Sequence, residues 1–284
     1  MRFFKSIPFF FLLLWGFTSL FSGCDKIDPP YTTGDDHEPN GDHGEVVQRV
    51  LLEEFTGHQC PNCPEGNKIA SQLKAHYGDQ LVVITIHAGW FANTDDDLFI
   101  YDFTTSEGDA LASHFQVNQF PVGMVNRSPF DGSMLLSPSA WGEAMHAIMQ
   151  EQPRFAIAVN PYHHGSGLDV HVEVTALEAC GRDYYLSVFL TESGIIKPQK
   201  VNDPEYPSGV IEDYEHNHVL RTGLNGTWGD LLNEEDITAG MLFEHDYQIS
   251  WDDEWVAENS AVVALIYDAE TEEVIQVAET AVSP

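Results

Sequence analysis

The sequence predicts an α/β layer domain followed by an all-β, immunoglobulin-like sandwich. Three observations predict it. Up to residue 152, apolar runs of strand character alternate with stretches of helical spacing. From Pro153 onward helix signals become scarce and two-residue alternation takes over. Between the first strand and the first helix stands Cys60-Pro61-Asn62-Cys63, a pair of thiols at a junction where chemistry is often placed.

The N-terminus reads as a targeting segment. Arg2 and Lys5 form a short basic region, and Ile7 to Phe21 is an apolar run too short for a comfortable membrane span. It ends in Leu-Phe-Ser-Gly-Cys, which resembles the acylation site of bacterial lipoproteins, with Phe21 where leucine is usual. The resemblance makes residues 1–23 a signal peptide and Cys24 the lipid anchor, the chain's expected link to a membrane. Residues 24–45 follow with seven acids, one lysine and few large apolar groups, the composition of a disordered acidic tether.

Order is expected from Val46, so the first domain spans 46–152. Val-Val-Gln-Arg-Val-Leu-Leu-Glu-Glu-Phe reads as a strand, and Ile69, Ala70, Leu73 and Tyr77 recur at helical spacing before Gly78. Gln80 to Phe91 is a nearly unbroken apolar strand, of the kind covered on both faces. The stretch from Asn93 to Phe115 reads as largely helical, with Thr105 or Ser106 as a cap. A turn at Phe120-Pro121 leads into a third strand, and Ser137 or Ser139 opens a helix carrying Trp141, Met145, Ile148 and Met149.

The second domain, 153–284, shows alternation in Leu168–Ala176, with Val170, Val172, Val174 and Ala176 on one face. Tyr184–Glu192, Met241–Trp251, Ser260–Asp268 and Glu273–Thr280 continue the theme, separated by turn-like stretches such as Asn160–Gly167. Residues 197–230 are rich in Pro, Gly and polar groups and read as a long loop wrapped on the surface, a kind of segment that is often functional.

Charge narrows the partners. The 284 residues carry 12 Lys+Arg against 45 Asp+Glu, a formal charge of −33. Such a surface repels nucleic acid and anionic lipid, so no nucleic-acid partner is expected. Asp95, Asp96 and Asp97 lack the spacing of a calcium loop, and His216 with His218 falls short of a ligand set. No metal and no cofactor are assigned.

The cysteine pair lacks the second Cys-x-x-Cys or His pair that zinc needs. Two readings stay open. A static disulfide closing one turn stabilises little, which favours redox use. Redox use requires Cys60 near a helix N-terminus, where the dipole favours a thiolate, and reachable from solvent. It also requires Cys63 one turn on, to resolve a mixed disulfide, and a loop such as Phe120-Pro121 facing the sulfur.

Strand, Cys-x-x-Cys, helix, then X-Pro leading into a strand resembles the thioredoxin fold. The resemblance implies that Pro121 is cis and faces the disulfide. It also implies that Glu54, six residues before Cys60, is a buried acid that moves the Cys63 proton, with Glu53 competing for the inward position. Gln59 stands where that family has tryptophan, the dipeptide is Pro-Asn, and Pro64 follows directly. Leu51–Gly66, Ile86–Ala92, Gly108–Arg127, Tyr214–Asp230 and Val262–Glu279 together resemble the Omp28-related outer-membrane lipoproteins of Bacteroidetes. That resemblance implies a thioredoxin-like domain followed by a β-sandwich at the outer membrane or cell surface.

The functional expectation is an exported, lipid-anchored thiol–disulfide oxidoreductase-like protein acting on protein thiols or disulfides. The catalytic residues expected are Cys60, Cys63, Pro121 and Glu54. The alternative is a surface binding or adhesion lipoprotein, with an unknown surface partner, whose first domain is only a scaffold. His58 and His87 are read as loop or core histidines, and Cys180 as a quiet buried thiol.

Overall fold

The structure is a computed structural model that describes residues 46–95 and 97–283. The expected signal peptide, Cys24 and the tether lie outside the described residues. The elements run β1 (Val50–Thr56), α1 (Cys63–Tyr77), β2 (Leu81–His87), α2 (Ser106–His114), β3 (Val122–Val125), α3 (Pro138–Ile148), β4 (Phe155–His164), β5 (Gly167–Ala176), β6 (Tyr184–Glu192), β7 (Ile195–Lys200), β8 (Val210–His216), β9 (Val219–Gly223), β10 (Asp230–Leu231), β11 (Leu242–Ser250), β12 (Ser260–Asp268) and β13 (Val274–Ala281). The protein is mostly β, with mixed sheets.

One sheet forms the spine, in the order β13-β12-β6-β9-β2-β1-β3, with β10 added beside β6. β1 lies parallel to β2, from Val50 opposite Leu81 to Thr56 opposite His87, and antiparallel to β3. All seven residues of β1 and all seven of β2 are buried. Their near-continuous apolar runs fit, because side chains on both faces are covered. Val50, Leu52, Leu81 and Val83 pack with Ala70 of α1 and Trp141 and Met145 of α3. Leu51, Phe55, Val82 and Ile84 face the other way, into a core shared with Leu111 of α2, Phe189 of β6 and Leu265 of β12.

A second sheet, β11-β5-β4, packs on the far part of the spine. Val170, Val172 and Val174, the inward set expected from alternation, meet Leu186, Val188, Val262 and Ala264 there. Burying each such side chain contributes roughly 1.5–3 kcal/mol. The expected boundary at 152/153 falls between α3 and β4, and the spine runs across it. Thr85 of β2 pairs with Val219 of β9, and the Thr85 amide donates to the His218 carbonyl at 2.7 Å.

Three expectations need correction. The 93–115 stretch is helical only over Ser106–His114. Before it, Asp95 Oδ1 accepts from the amides of Asp97 and Phe99, and Asp102 Oδ1 from Thr104. Aspartate side chains here take the amides a helix would use. Thr105 is the cap, accepting from the Gly108 amide at 3.0 Å. The turn expected over Asn160–Gly167 shrinks to Gly165 and Ser166, because β4 and β5 pair in unbroken register up to His164 opposite Gly167. The long loop of 197–230 contains most of β7, all of β8 and β9, and the first residue of β10. Pro198 interrupts β7, and the β7–β8 register shifts between Lys197 and Gln199.

Candidate functional site

β1 delivers the chain to a tight turn, Gly57 to Asn62, and α1 starts at Cys63 with Asn62 as its cap. Cys60 therefore lies one turn before the helix. Pro64 sits in the first turn, where the missing N–H has no partner in any case. The Cys60 amide donates to the Gly57 carbonyl at 2.9 Å, and the two cysteines are joined as a disulfide.

Pro121 enters β3 through a cis peptide bond with Phe120. It lies against α1 where that helix has no side chain. A Cβ placed on Gly66 would stand 2.9 Å from Pro121 Cβ and 3.0 Å from Glu54 Oε1. Gly66 thus brings the proline and the acid to the same turn as Cys63.

Glu54, 1% exposed, faces α1, whereas Glu53, fully buried, faces the opposite side. Asn67 links the acid to the cysteine turn. With its amide oxygen accepting from the Tyr214 hydroxyl at 3.0 Å, its nitrogen donates to Glu54 Oε1 at 2.7 Å and to the Cys63 carbonyl at 3.1 Å. Burial raises the Glu54 carboxyl from an ordinary 4.5 to about 8. Burial also raises the Tyr214 hydroxyl above its usual range. A small cavity of about 40 Å³ lies beside Glu54, Asn67, Thr85 and Tyr214.

The sequence-based expectation of an accessible Cys60 is not met in this conformation. Cys60 is 1% exposed and Cys63 fully buried. The cover is the β7–β8 hairpin. The Lys200 amide donates to the His58 carbonyl and the Asn202 amide to the Pro61 carbonyl, both at 2.8 Å. Gln199, itself fully buried, donates through Nε2 to the Cys60 carbonyl at 2.9 Å, and Lys200 Nζ reaches Gln59 Oε1 at 2.7 Å. Beside the cover, a groove of about 520 Å³ opens between Pro61, Gly66 and Pro121 on one side and Val201 and Tyr206 on the other.

Reasoning from sequence missed Gln199, Lys200, Asn202 and Tyr214. The one signal for them was the length and composition of the segment that carries them. His58, His87 and His216 were seen as histidines but not as a group. All three are at most 2% exposed and gather around Phe103. Cys180 is half-buried rather than buried, with Arg154 Nη2 at 3.0 Å and the Tyr184 hydroxyl at 2.7 Å from its sulfur. On the outer face of β5 and β11, His171 of β5 bonds Asp246 of β11 at 2.8 Å and lies 3.9 Å from Glu244 of β11, contacts that tie the two strands, with Glu173 of β5 at 3.7 Å.

Among the described residues no helix is long and apolar enough to cross a membrane. No curated protein matches the chain. HBP35 of Porphyromonas gingivalis is similar in structure, with a TM-score of 0.60 at 16% identity over 84% of this chain and 76% of that one. A domain of the outer membrane lipoprotein Omp28 from Porphyromonas gingivalis is 22% identical over 46% of this chain and 90% of that one, with a TM-score of 0.32. A family profile described as Outer membrane protein Omp28 matches residues 108–284. The chain belongs to the Omp28 family of outer-membrane lipoproteins and is exported to the outer membrane or cell surface.

Proposed function

We propose that this is a lipid-anchored thiol–disulfide oxidoreductase-like protein whose Cys60–Cys63 pair works when the β7–β8 hairpin lifts. In this reading β1 to α3 is a thioredoxin-like unit and the remainder an immunoglobulin-like sandwich. Acyl chains on Cys24 hold the protein at the membrane, each buried methylene contributing roughly 0.8 kcal/mol.

The observation that carries the reading is Glu54. It is buried, has no cation partner among the described residues, and is joined through Asn67 to the Cys63 turn. A carboxyl in such a place costs stability. With its pKa near 8 it holds a proton at neutral pH and can release it within reach of ordinary conditions.

The exchange balances as follows. A partner thiolate attacks Cys60 Sγ, the Cys60–Cys63 bond breaks, and Cys63 leaves as a thiolate that takes the Glu54 proton. A second partner thiolate attacks the partner sulfur of the mixed disulfide and releases Cys60 as a thiolate. The partner is oxidised by two electrons and the pair is reduced. The reverse sequence reduces a partner disulfide and returns the Cys63 proton to Glu54. Pro121, over Gly66, borders the groove where the partner chain lies.

Insulin reduction with dithiothreitol and redox titration of the pair test this. Turnover, and a potential above that of structural disulfides, support it. No turnover in the native chain or in a hairpin-loosened Gln199→Ala variant, together with a potential below about −300 mV, ends it. Trapping with Cys63→Ser identifies a partner as a mixed disulfide on Cys60.

One observation favours a second reading, a surface binding lipoprotein in which this unit is scaffold: the closed cover over Cys60. Binding to the cell-surface partner that survives Cys60→Ser with Cys63→Ser would establish it.

A further inference from the structure

We propose that the β7–β8 hairpin is an acid-released latch over the disulfide, with His87 and His216 at its hinge as the trigger. The hairpin is a separate two-stranded sheet, bonded into neither of the others. Left-handed residues flank it, Gly194 at φ +72° before and His218 at φ +56° after. Its far end meets the cysteine turn through Lys200 and Asn202, and its base ends at His216.

That base is held by uncharged imidazoles. His216 is 1% exposed and packs 5.3 Å from the His87 ring and 4.5 Å from the Phe103 ring, centroid to centroid. His87, 2% exposed, stacks on Phe103 at 4.3 Å. Among the described residues, both ring nitrogens of both residues lack a hydrogen-bond partner. Two buried rings with four unpaired nitrogens are costly unless they serve a purpose.

The surroundings supply little compensation for charge. His87 faces His216, His58 and Arg221, each of which opposes a positive charge on it. His216 faces the Tyr214 ring at 4.9 Å and feels His58 as a further opposing charge. The Lys197 and Pro198 carbonyls favour charge on it without making a hydrogen bond of normal geometry. His58 differs: it bonds the Asn93 carbonyl at 3.0 Å, and Asp95 and Asp102 favour its charged form while Lys200 opposes it. His58 therefore stays with the cysteine turn, and the trigger lies at His87 and His216.

Burial pushes His216 down to about 3 and His87 well below its ordinary 6.5. A base whose closed-state pKa is depressed contributes to closure above 6.5 and loses that contribution as pH falls from 6.5 toward the closed value. Each imidazole that gains solvent on opening raises the open fraction about tenfold between pH 7.5 and 5.5. Two raise it about a hundredfold.

The latch depends on the redox reading for its purpose but not for its existence, so its test avoids turnover. In the intact chain, amide exchange of peptides spanning 195–216, corrected for intrinsic rates, is compared at pH 7.5 and 5.5. Reduction of Cys60–Cys63 by a phosphine is followed in parallel, normalised to oxidised glutathione. The expected result is about a tenfold to hundredfold rise in both at the lower pH, with β12–β13 peptides unchanged. His216→Phe and His87→Phe keep ring volume without titratable nitrogens, and each lowers the response by about the tenfold its imidazole supplies. Equal protection at both pH values in the native chain overturns the latch, as does a full response in either variant that folds. A normal pH response with no oxidoreductase turnover leaves the latch and removes the proposed function.

Discussion

Glu53 and Glu54 are consecutive on β1 and electrically opposite. Glu53 meets Arg127 in a two-pronged ion pair, Nε to Oε2 at 2.8 Å and Nη2 to Oε1 at 2.7 Å, with both side chains 1% exposed. The Arg127 guanidinium lies 5.3 Å from the ring centres of both Phe115 and Tyr267. Glu54, on the other face, has an amide and, among the described residues, no cation. One acid ties β1 to the end of β3, and the other carries a movable proton.

Breaking the ion pair from one side strands a buried charge. Arg127→Met should cost about 3–5 kcal/mol in urea or guanidinium unfolding. Adding Glu53→Leu removes the stranded carboxylate and should recover most of the loss. A double variant no more stable than the single one would show that the pair also fixes the backbone near Asn126, whose Oδ1 accepts from the Leu51 amide.

Glu54 makes stability fall as pH rises. Its pKa is about 8 in the folded chain and ordinary when unfolded, so the folded state binds more protons between roughly 4.5 and 8. The contribution is full below pH 4.5 and is lost as pH climbs through 8, at up to about 1.4 kcal/mol per pH unit. In Glu54→Gln that slope is absent. Unfolding measured at half-unit steps from pH 5 to 8.5, native against variant, reads the difference; parallel curves would place Glu54 in a far wetter setting. If Glu54 serves Cys63, the same variant slows disulfide exchange most near neutral pH.

Gly66 is irreplaceable on packing grounds. Gly66→Ala gains helix propensity but sets a methyl against Pro121 and Glu54. The net effect should be destabilising by about 1–3 kcal/mol, since both neighbours are held by backbone or burial. Thermal unfolding checks it, and a stabilised alanine variant would mean that α1 is free to move away from β3.

Gln199→Ala removes the amide that bonds the Cys60 carbonyl. Loss of a buried hydrogen bond of this kind costs about 1–2 kcal/mol. Placed in the cover, that should speed phosphine reduction of the disulfide by about five- to thirtyfold with little change in global stability. An unchanged reduction rate would mean that Lys200 and Asn202 alone hold the hairpin down.

The parts legible in the sequence are those written in nearby residues. β1 and β2 announced themselves as apolar runs, α1 by its spacing and Gly78, and the cysteine pair by its place between strand and helix. The Thr105 cap was legible because its partner, Gly108, is three residues away. The cover over Cys60 was not legible, because Gln199 meets Cys60 across 139 residues and its strands are short, polar and broken by Pro198. No local pattern encodes that meeting. The same holds for His87 and His216, which belong to different strands and meet, beside Phe103, only once the chain has folded. The face chosen by Glu53 and Glu54 was undecidable for another reason: both are buried, one by pairing and one by neutralisation, and strand alternation alone does not rank the two solutions.

The bond between Thr85 and His218 has an engineering consequence. A fragment ending near residue 153 would lose β9 and the neighbours it brings, leaving β2 with a bare apolar margin that invites strand-to-strand association between copies. The cysteine-bearing half is thus not a portable cassette. Any transplant must carry the later strands with it.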